Sequence, residues 1–369
     1  MRTPSGLPVG LQIGPFSRAT AIALGVSPRR LRAGDLNSPF HGIRQAVGAP
    51  VDTAWMSWAY RERMSPGSAF SHGTAARLRG LPVPLYLPAQ TLDISIPHGR
   101  RPPEGVGVSG HEVASHLWAR DEIVHRDFAA DVMFALPVVS APLMWCQLAD
   151  SLDLDDLVAL GDALVTGDFA TVDQLRCAAS RWAGHRGAKK LRRAVEEVRT
   201  GPLSRPESLV RLQAMRAGIP EPQLNQTVRR LSGEDLAMTD LCWPEFRTLV
   251  EYEGDYHRSS RTKFRSDITR MERFADGGWA GLRAHADDVF RDPNPFLARL
   301  WRRLAELFGQ RLQTFAEFTL EDHFVGHFGW GGQRRGPLEV EPYFAGSHRF
   351  ATAALAFGGF AEHEHQCFT

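Results

Sequence analysis

Cysteine is scarce and scattered. Cys146, Cys177, Cys242 and Cys367 are the only four in 369 residues, and no two form a CxxC pair. That pattern argues against a zinc ribbon or a disulfide framework and fits a reducing cytoplasm. Net charge is equally thin: 43 Lys and Arg against 42 Asp and Glu leave +1. No global positive field announces nucleic acid, so any such contact must come from local patches. No apolar run approaches the ~20 residues of a membrane helix. The nearest, Ala135 to Cys146, is interrupted by Pro137 and Pro142, and Met-Arg-Thr-Pro-Ser-Gly at the start has no apolar core behind it. Neither a signal peptide nor a membrane partner is expected.

What is present suits a globular protein, with 43% hydrophobic and 23% charged residues. The length exceeds one typical core and predicts more than one domain.

The most informative stretch runs from Thr239 to His257. It reads as two short strands around a tight turn at Trp243-Pro244-Glu245, the second strand covering Phe246 to Glu253. Successive strand residues alternate faces, so Glu251 and Glu253 share one face and Tyr252 points away. If the strands pair, Asp240 lies beside that face. Three carboxylates at the end of an apolar hairpin need a positive partner. A hard divalent cation with oxygen ligands, Mg²⁺ or Mn²⁺, is one solution, and a charged hairpin tip in water is the other. Upstream, Ser204 is a candidate N-cap with Pro206 and Glu207 in the first helical turn. Downstream, Tyr256-His-Arg-Ser-Ser-Arg-Thr-Lys-Phe-Arg-Ser-Asp267 supplies a histidine, a run of cations and a helix.

These pieces carry a resemblance. Arg-Pro-Glu207-Ser-Leu, Ala-Gly-Ile-Pro-Glu-Pro at 217–222, Asp240 before Trp-Pro, and Glu251-Tyr-Glu253-Gly-Asp-Tyr-His257 occur in order. They are followed by Arg265-Ser-Asp267, Gly278-Trp279 and Ala286-Asp-Asp-Val. The segment 204–288 resembles the very-short-patch-repair-like branch of the PD-(D/E)XK nucleases, and within it an endonuclease-like domain common in actinobacterial proteins. The resemblance implies a restriction-endonuclease-like α/β core, with Glu207, Asp240 and Glu251 as the acidic, metal-holding cluster. It also implies His257 as the site histidine and Asp267 as the helical aspartate. Two departures stand out. Glu253 occupies the place of the superfamily lysine, and Ala280 to His285 is a weak candidate for the strand expected after Trp279.

Near the start, Ala21 and Gly25 stand four apart, Val26 follows, and Leu31 closes the pattern. This spacing predicts a helix-turn-helix whose second helix, begun at Ser27, presents Arg29, Arg30 and Arg32 to DNA. Ser38 to Ala46 then reads as a short strand, a wing. A small helical hairpin is the alternative. Residues 52–64 and 68–80 predict two helices, and 1–85 as a whole resembles the N-terminal winged-helix domain of AbiEi-type antitoxins.

From Leu85 to Val139 the pattern is strand-like. His98, His111, His116 and His125 lack HxH or HExxH spacing, and His72 reads as a cap or packing residue. Ala141 to Val165 and 171–199 predict helices, the latter basic enough to track phosphates or simply to be a solvated face. Pro295 to Phe308 predicts an amphipathic helix. Beyond Gly309, Phe, Gly and His dominate without periodicity, and a disordered tail is one expectation there.

The expected organisation is α+β and multidomain: an antitoxin-like module at 1–85, a mixed region at 86–200, a nuclease-like domain at 201–308 and an unassigned 309–369. The expected function is a Mg²⁺-dependent DNA endonuclease. Asp240 and Glu251 would hold the metal, assisted by Glu207; Glu253 would complete the shell or orient water, and His257 would act as general base or position the scissile phosphate. Arg258, Arg261, Lys263 and Arg265 would meet phosphates. The competing expectation is a DNA-binding regulator or antitoxin, partnered by a toxin, whose nuclease domain is only a scaffold. RNA as substrate stays open, because carboxylate-metal chemistry does not read the sugar.

Overall fold

A computed structural model describes residues 4–128, 130–254 and 261–307, with side chains described at 269–305 in the last stretch. The chain contains both α and β elements and divides into two compact units at Leu209/Val210. No helix among the described residues is long and apolar enough to cross a membrane.

The first unit begins with β1 (Phe16–Ser17) and α1 (Arg18–Ala23), followed by β2 (Leu36–Asn37) and β3 (Ile43–Ala46). The three strands form a small sheet in the order β1-β3-β2. Ser17 caps α1 by accepting the Thr20 N–H at 2.9 Å. Ala21, Val26 and Leu31 are buried with Leu11 and Phe16, so the helical spacing read from the sequence does mark a core. The segment after Gly25 differs from expectation. Arg30–Arg32 is a single 3₁₀ turn and not a second α-helix. Pro28 contributes no N–H, and Arg30 turns back to bond Asp35 through both guanidinium nitrogens at 2.9 and 2.7 Å.

Next come α2 (Thr53–Arg61), β4 (Ala69–Phe70) and α3 (His72–Leu78). The helix predicted at 68–80 therefore starts later, because Phe70, fully buried, pairs with β-strands on both sides. Then follow β5 (Leu92–Pro97), β6 (Val108–Val113), β7 (Arg120–Asp127) and β8 (Val132–Val139). The second sheet runs β6-β5-β4-β8-β7, with β4 at its centre. β5 and β6 are parallel, as are β4 and β8.

Four helices complete this unit: α4 (Ala141–Leu148), α5 (Leu154–Thr166), α6 (Val172–Arg181) and α7 (Ala188–Glu197). Trp145 is fully buried and donates its indole N–H to Leu157 O at 2.9 Å. Thr171 and Gln174 close α6 with a capping box. On basic α7, Leu191, Ala194 and Val195 face the core. Two of its four cations have partners within the unit, Arg193 with Glu197 at 3.4 Å and Lys190 with Leu152 O.

α8 (Arg205–Arg216) spans the division between units. The second unit contains β9 (Gln223–Arg229), β10 (Asp235–Trp243), β11 (Thr248–Glu253), α9 (Arg261–Asp276), β12 (Ala280–His285), α10 (Ala286–Phe290) and α11 (Asn294–Leu307). Its sheet runs β12-β11-β10-β9, antiparallel except for the parallel pair β11–β12, which α9 connects. Thus the weak run after Trp279 does form a strand. Its pattern is obscured by Gly281, where a Cβ would collide with Met271 of the covering helix. Leu249, Cys242, Phe274 and Trp279 form the core on that side, and Phe296, Leu297, Leu300 and Leu304 seat α11.

The turn between β10 and β11 is a 3₁₀ turn at Pro244–Phe246 followed by Arg247 at φ 42, so β11 begins at Thr248 and not at Phe246. A non-glycine residue in the left-handed region costs about 1 kcal/mol or more. Arg247 offsets this by donating to Gly278 O at 2.9 Å and Gly277 O at 2.5 Å, with its guanidinium 4.9 Å from the Trp279 ring centroid.

Two variants test this account of the turn. Replacing Arg247 by Ala loses the carbonyl bonds and keeps the strain, whereas Arg247→Gly loses the bonds but relieves the φ. Both should be less stable than wild type, with Gly about 1 kcal/mol better than Ala, measured by hydrogen exchange of the β10–β11 amides. Trp243 is fully buried and bonds Pro220 O at 2.7 Å, so Trp243→Ala should cost about 3–5 kcal/mol by the same measurement.

Candidate functional site

The hairpin acids come together through register. β10 and β11 pair as Leu241↔Val250, Cys242↔Leu249 and Trp243↔Thr248, and strand alternation then puts Asp240 on the face of Cys242 and Glu251 on that of Leu249. Directly opposed residues of an antiparallel pair project to the same face. Asp240 Oδ2 also accepts the Tyr252 N–H at 2.7 Å, which fixes its carboxylate against β11.

Each glutamate meets a cation of the protein. Glu251, with a side chain 17% exposed, pairs with Arg270 of α9 at 2.9 Å. Glu253 lies 3.3 Å from Arg283 and 3.8 Å from His285 Nδ1, both on β12. The parallel register explains this, since Glu251 pairs with Arg283 and Glu253 with His285. Sequence reading did not single out Arg270, Arg283 or His285. The positive charge it looked for near the acids comes from the crossover helix and the strand that follows.

Glu207 belongs to the first unit. It is 6% exposed, and its carboxylate accepts the Leu203 N–H at 2.9 Å and the Ser204 hydroxyl at 2.7 Å. Ser204 Oγ accepts the Glu207 N–H in return at 3.4 Å. This reciprocal arrangement closes the N-terminus of α8. His257 and Arg258 lie outside the described residues. Arg261, Lys263, Arg265 and Asp267 fall in the backbone of α9, and their side chains also lie outside what is described. In the N-terminal module Arg29 and Arg32 are exposed, whereas Arg30 is held by Asp35 and Ser5 O.

The Asp240–Glu251 donor set suits Mg²⁺ or Mn²⁺. Both ions prefer hard oxygens, and Mg²⁺ commonly takes only one or two protein carboxylates and completes its octahedron with water and phosphate. Among the described residues, however, the His, Cys, Asp and Glu side chains close enough in threes to hold an ion are not these. They are His72, Asp93 and His111, in the first unit. The histidine spacing rules missed that group because its members come from a helix start and two parallel strands. The available signal was Asp93 and Ser95 alternating with Leu92, Ile94 and Ile96 in a strand that otherwise reads as wholly apolar.

No family model matches the chain. Two uncharacterised proteins of Mycobacterium tuberculosis, one from strain CDC 1551 and one from strain H37Rv, are each 30% identical to it over 149 residues. The match covers 38% of this chain and 54% of each relative, so the chain spans about half the length of the curated proteins it matches.

Proposed function

We propose that this chain is a metal-dependent DNA endonuclease whose catalytic part lies in the second unit and resembles the very-short-patch-repair-like PD-(D/E)XK nucleases. The observation that carries the reading is the β10–β11 register, which brings Asp240 and Glu251 to one face of a mixed α/β sheet.

In this reading Asp240 and Glu251 would hold Mg²⁺ or Mn²⁺. Such an ion, when bound, polarises the phosphodiester and lowers the pKa of an attacking water. The Tyr252 amide holds the Asp240 carboxylate in place. Arg270 and Arg283 orient the two glutamates and keep their charges compensated. His257 is assigned as the base, and Arg258, Arg261, Lys263 and Arg265 as phosphate contacts, with Asp267 in support. Glu207 keeps the structural part of closing α8. The N-terminal module, similar to the AbiEi-type winged helix, supplies DNA contact through Arg29 and Arg32.

A second reading is favoured by a specific observation. Arg270 and Arg283 give Glu251 and Glu253 the compensation a cation would otherwise bring. On that reading the second unit is a scaffold, and the chain is a DNA-binding regulator or antitoxin with a toxin partner.

Supercoiled plasmid incubated with the full chain and Mg²⁺ or Mn²⁺ separates the two. The endonuclease reading predicts nicking that falls at least ~100-fold in Asp240→Asn, with the variant's gel shift on the same DNA unchanged. Wild type that shifts the DNA upstream of its own gene but never nicks supports the regulator. Undiminished nicking by Asp240→Asn would overturn the site assignment.

A further inference from the structure

The first unit contains a half-buried polar cluster on its second sheet, independent of the hairpin and of the nuclease reading. Asp93 lies on β5 and His111 on β6. The parallel register pairs His111 with Ser95, two residues beyond Asp93, so all three project to one face. His111 Nε2 is 3.1 Å from Asp93 Oδ1. His72 opens α3 directly over this face, and its ring centroid lies 3.9 Å from that of His111. One ligand atom from each of His72, Asp93 and His111 can be chosen so that all three lie within 4.8 Å of one another.

The surroundings hold the three in place. The Ser71 N–H donates to Asp93 O at 2.9 Å and the Asp93 N–H to Thr74 Oγ1 at 2.8 Å, tying β5 to the start of α3. The His72 N–H is 3.4 Å from Gln147 Oε1, whose amide nitrogen bonds Ser95 Oγ at 2.9 Å. Ser71 Oγ contacts His72 Nδ1 at 3.0 Å and sets the ring orientation. Hydrogen-bonded outer partners of this kind fix ligating histidines in metal sites.

Further features set this group apart from an ordinary half-buried histidine. His72 adopts φ 46, a left-handed backbone that a non-glycine residue keeps only when its surroundings over-determine it. Next to it, a Cβ on Gly73 would lie 3.0 Å from Arg77 Nη1 and 3.7 Å from Asp93 Oδ2, so the start of α3 passes close to both charges. Arg77 Nη2 bonds Leu87 O at 2.9 Å and its charge is drawn to Asp93, while its buried Nη1 has no hydrogen-bond partner among the described residues.

We infer that His72, Asp93 and His111 form a binding site for a borderline divalent cation, Zn²⁺ in the first instance. Two imidazoles and one carboxylate suit that ion, and three protein ligands leave a fourth position for water or an anion. Arg77 is placed to meet such an anion.

The test uses the full chain, stripped with a chelator and titrated with Zn²⁺ against a chromophoric competitor. Wild type should bind one equivalent tightly. His111→Gln and Asp93→Asn should weaken that equivalent at least ~100-fold, and His125→Gln should leave it unchanged. Zinc X-ray absorption on wild type at one equivalent reads the ligands without relying on any variant's folding. Two imidazoles with oxygen are expected. Sulfur ligands, a single imidazole, no tight equivalent in wild type, or undiminished affinity in both ligand variants would each overturn the assignment.

Discussion

The antiparallel register of β10 on β11 is secured at its closed end by two side chains. Trp243 is anchored on Pro220 O, and Arg247 takes up a left-handed turn and clamps the carbonyls of Gly277 and Gly278. A slip of one residue would turn every side chain of β10 to the other face, so this anchoring decides where Asp240 points. Given the register, Asp240 and Glu251 share one face of the sheet. Given the parallel addition of β12, Glu253 meets Arg283 and His285. The chemistry of the second unit therefore follows from a turn geometry set several residues away.

The same logic governs the first unit, with a different device. There the parallel pairing of β5 and β6 places Asp93, Ser95 and His111 on one face, and α3 begins over them at His72. Buried polar groups that are not apposed to partners cost stability, and this nest satisfies most of its members through Ser71, Thr74 and Gln147. The two units thus carry distinct polar centres. One is built from hard carboxylates and arginines, the other from imidazoles and a single aspartate.

Much of the stretch from Ser204 to Leu307 could be read from the sequence because its signals are local. The Trp-Pro-Glu turn, the Ser204 cap, and the spacing of Leu297, Leu300 and Leu304 each rest on a few adjacent residues, and each appears in the fold. The errors were of other kinds. The expected second helix at Arg29–Arg32 gives way to a 3₁₀ turn because Asp35 draws Arg30 back, a pairing that periodicity does not register. β4 is two residues of an apparent helix, made a strand by partners far along the chain. β12 alternates weakly, and its Gly281 lies against the Met271 side chain of α9. His72, Asp93 and His111 converge only through tertiary structure, so no spacing rule could join them. The arginines facing Glu251 and Glu253 sit on α9 and β12, so the charge balance of the hairpin could not be computed from the hairpin alone.

The central claim is that Asp240 and Glu251 act as one cation site because strand pairing and alternation bring them to one face. Mn²⁺ binding followed by electron paramagnetic resonance, in wild type, Asp240→Asn, Glu251→Gln and the double variant, addresses it directly. A shared site predicts that either single change removes nearly all of the affinity and the double change little more, a strongly non-additive cycle. Losses that simply add, or Mn²⁺ binding indifferent to both residues, would contradict it.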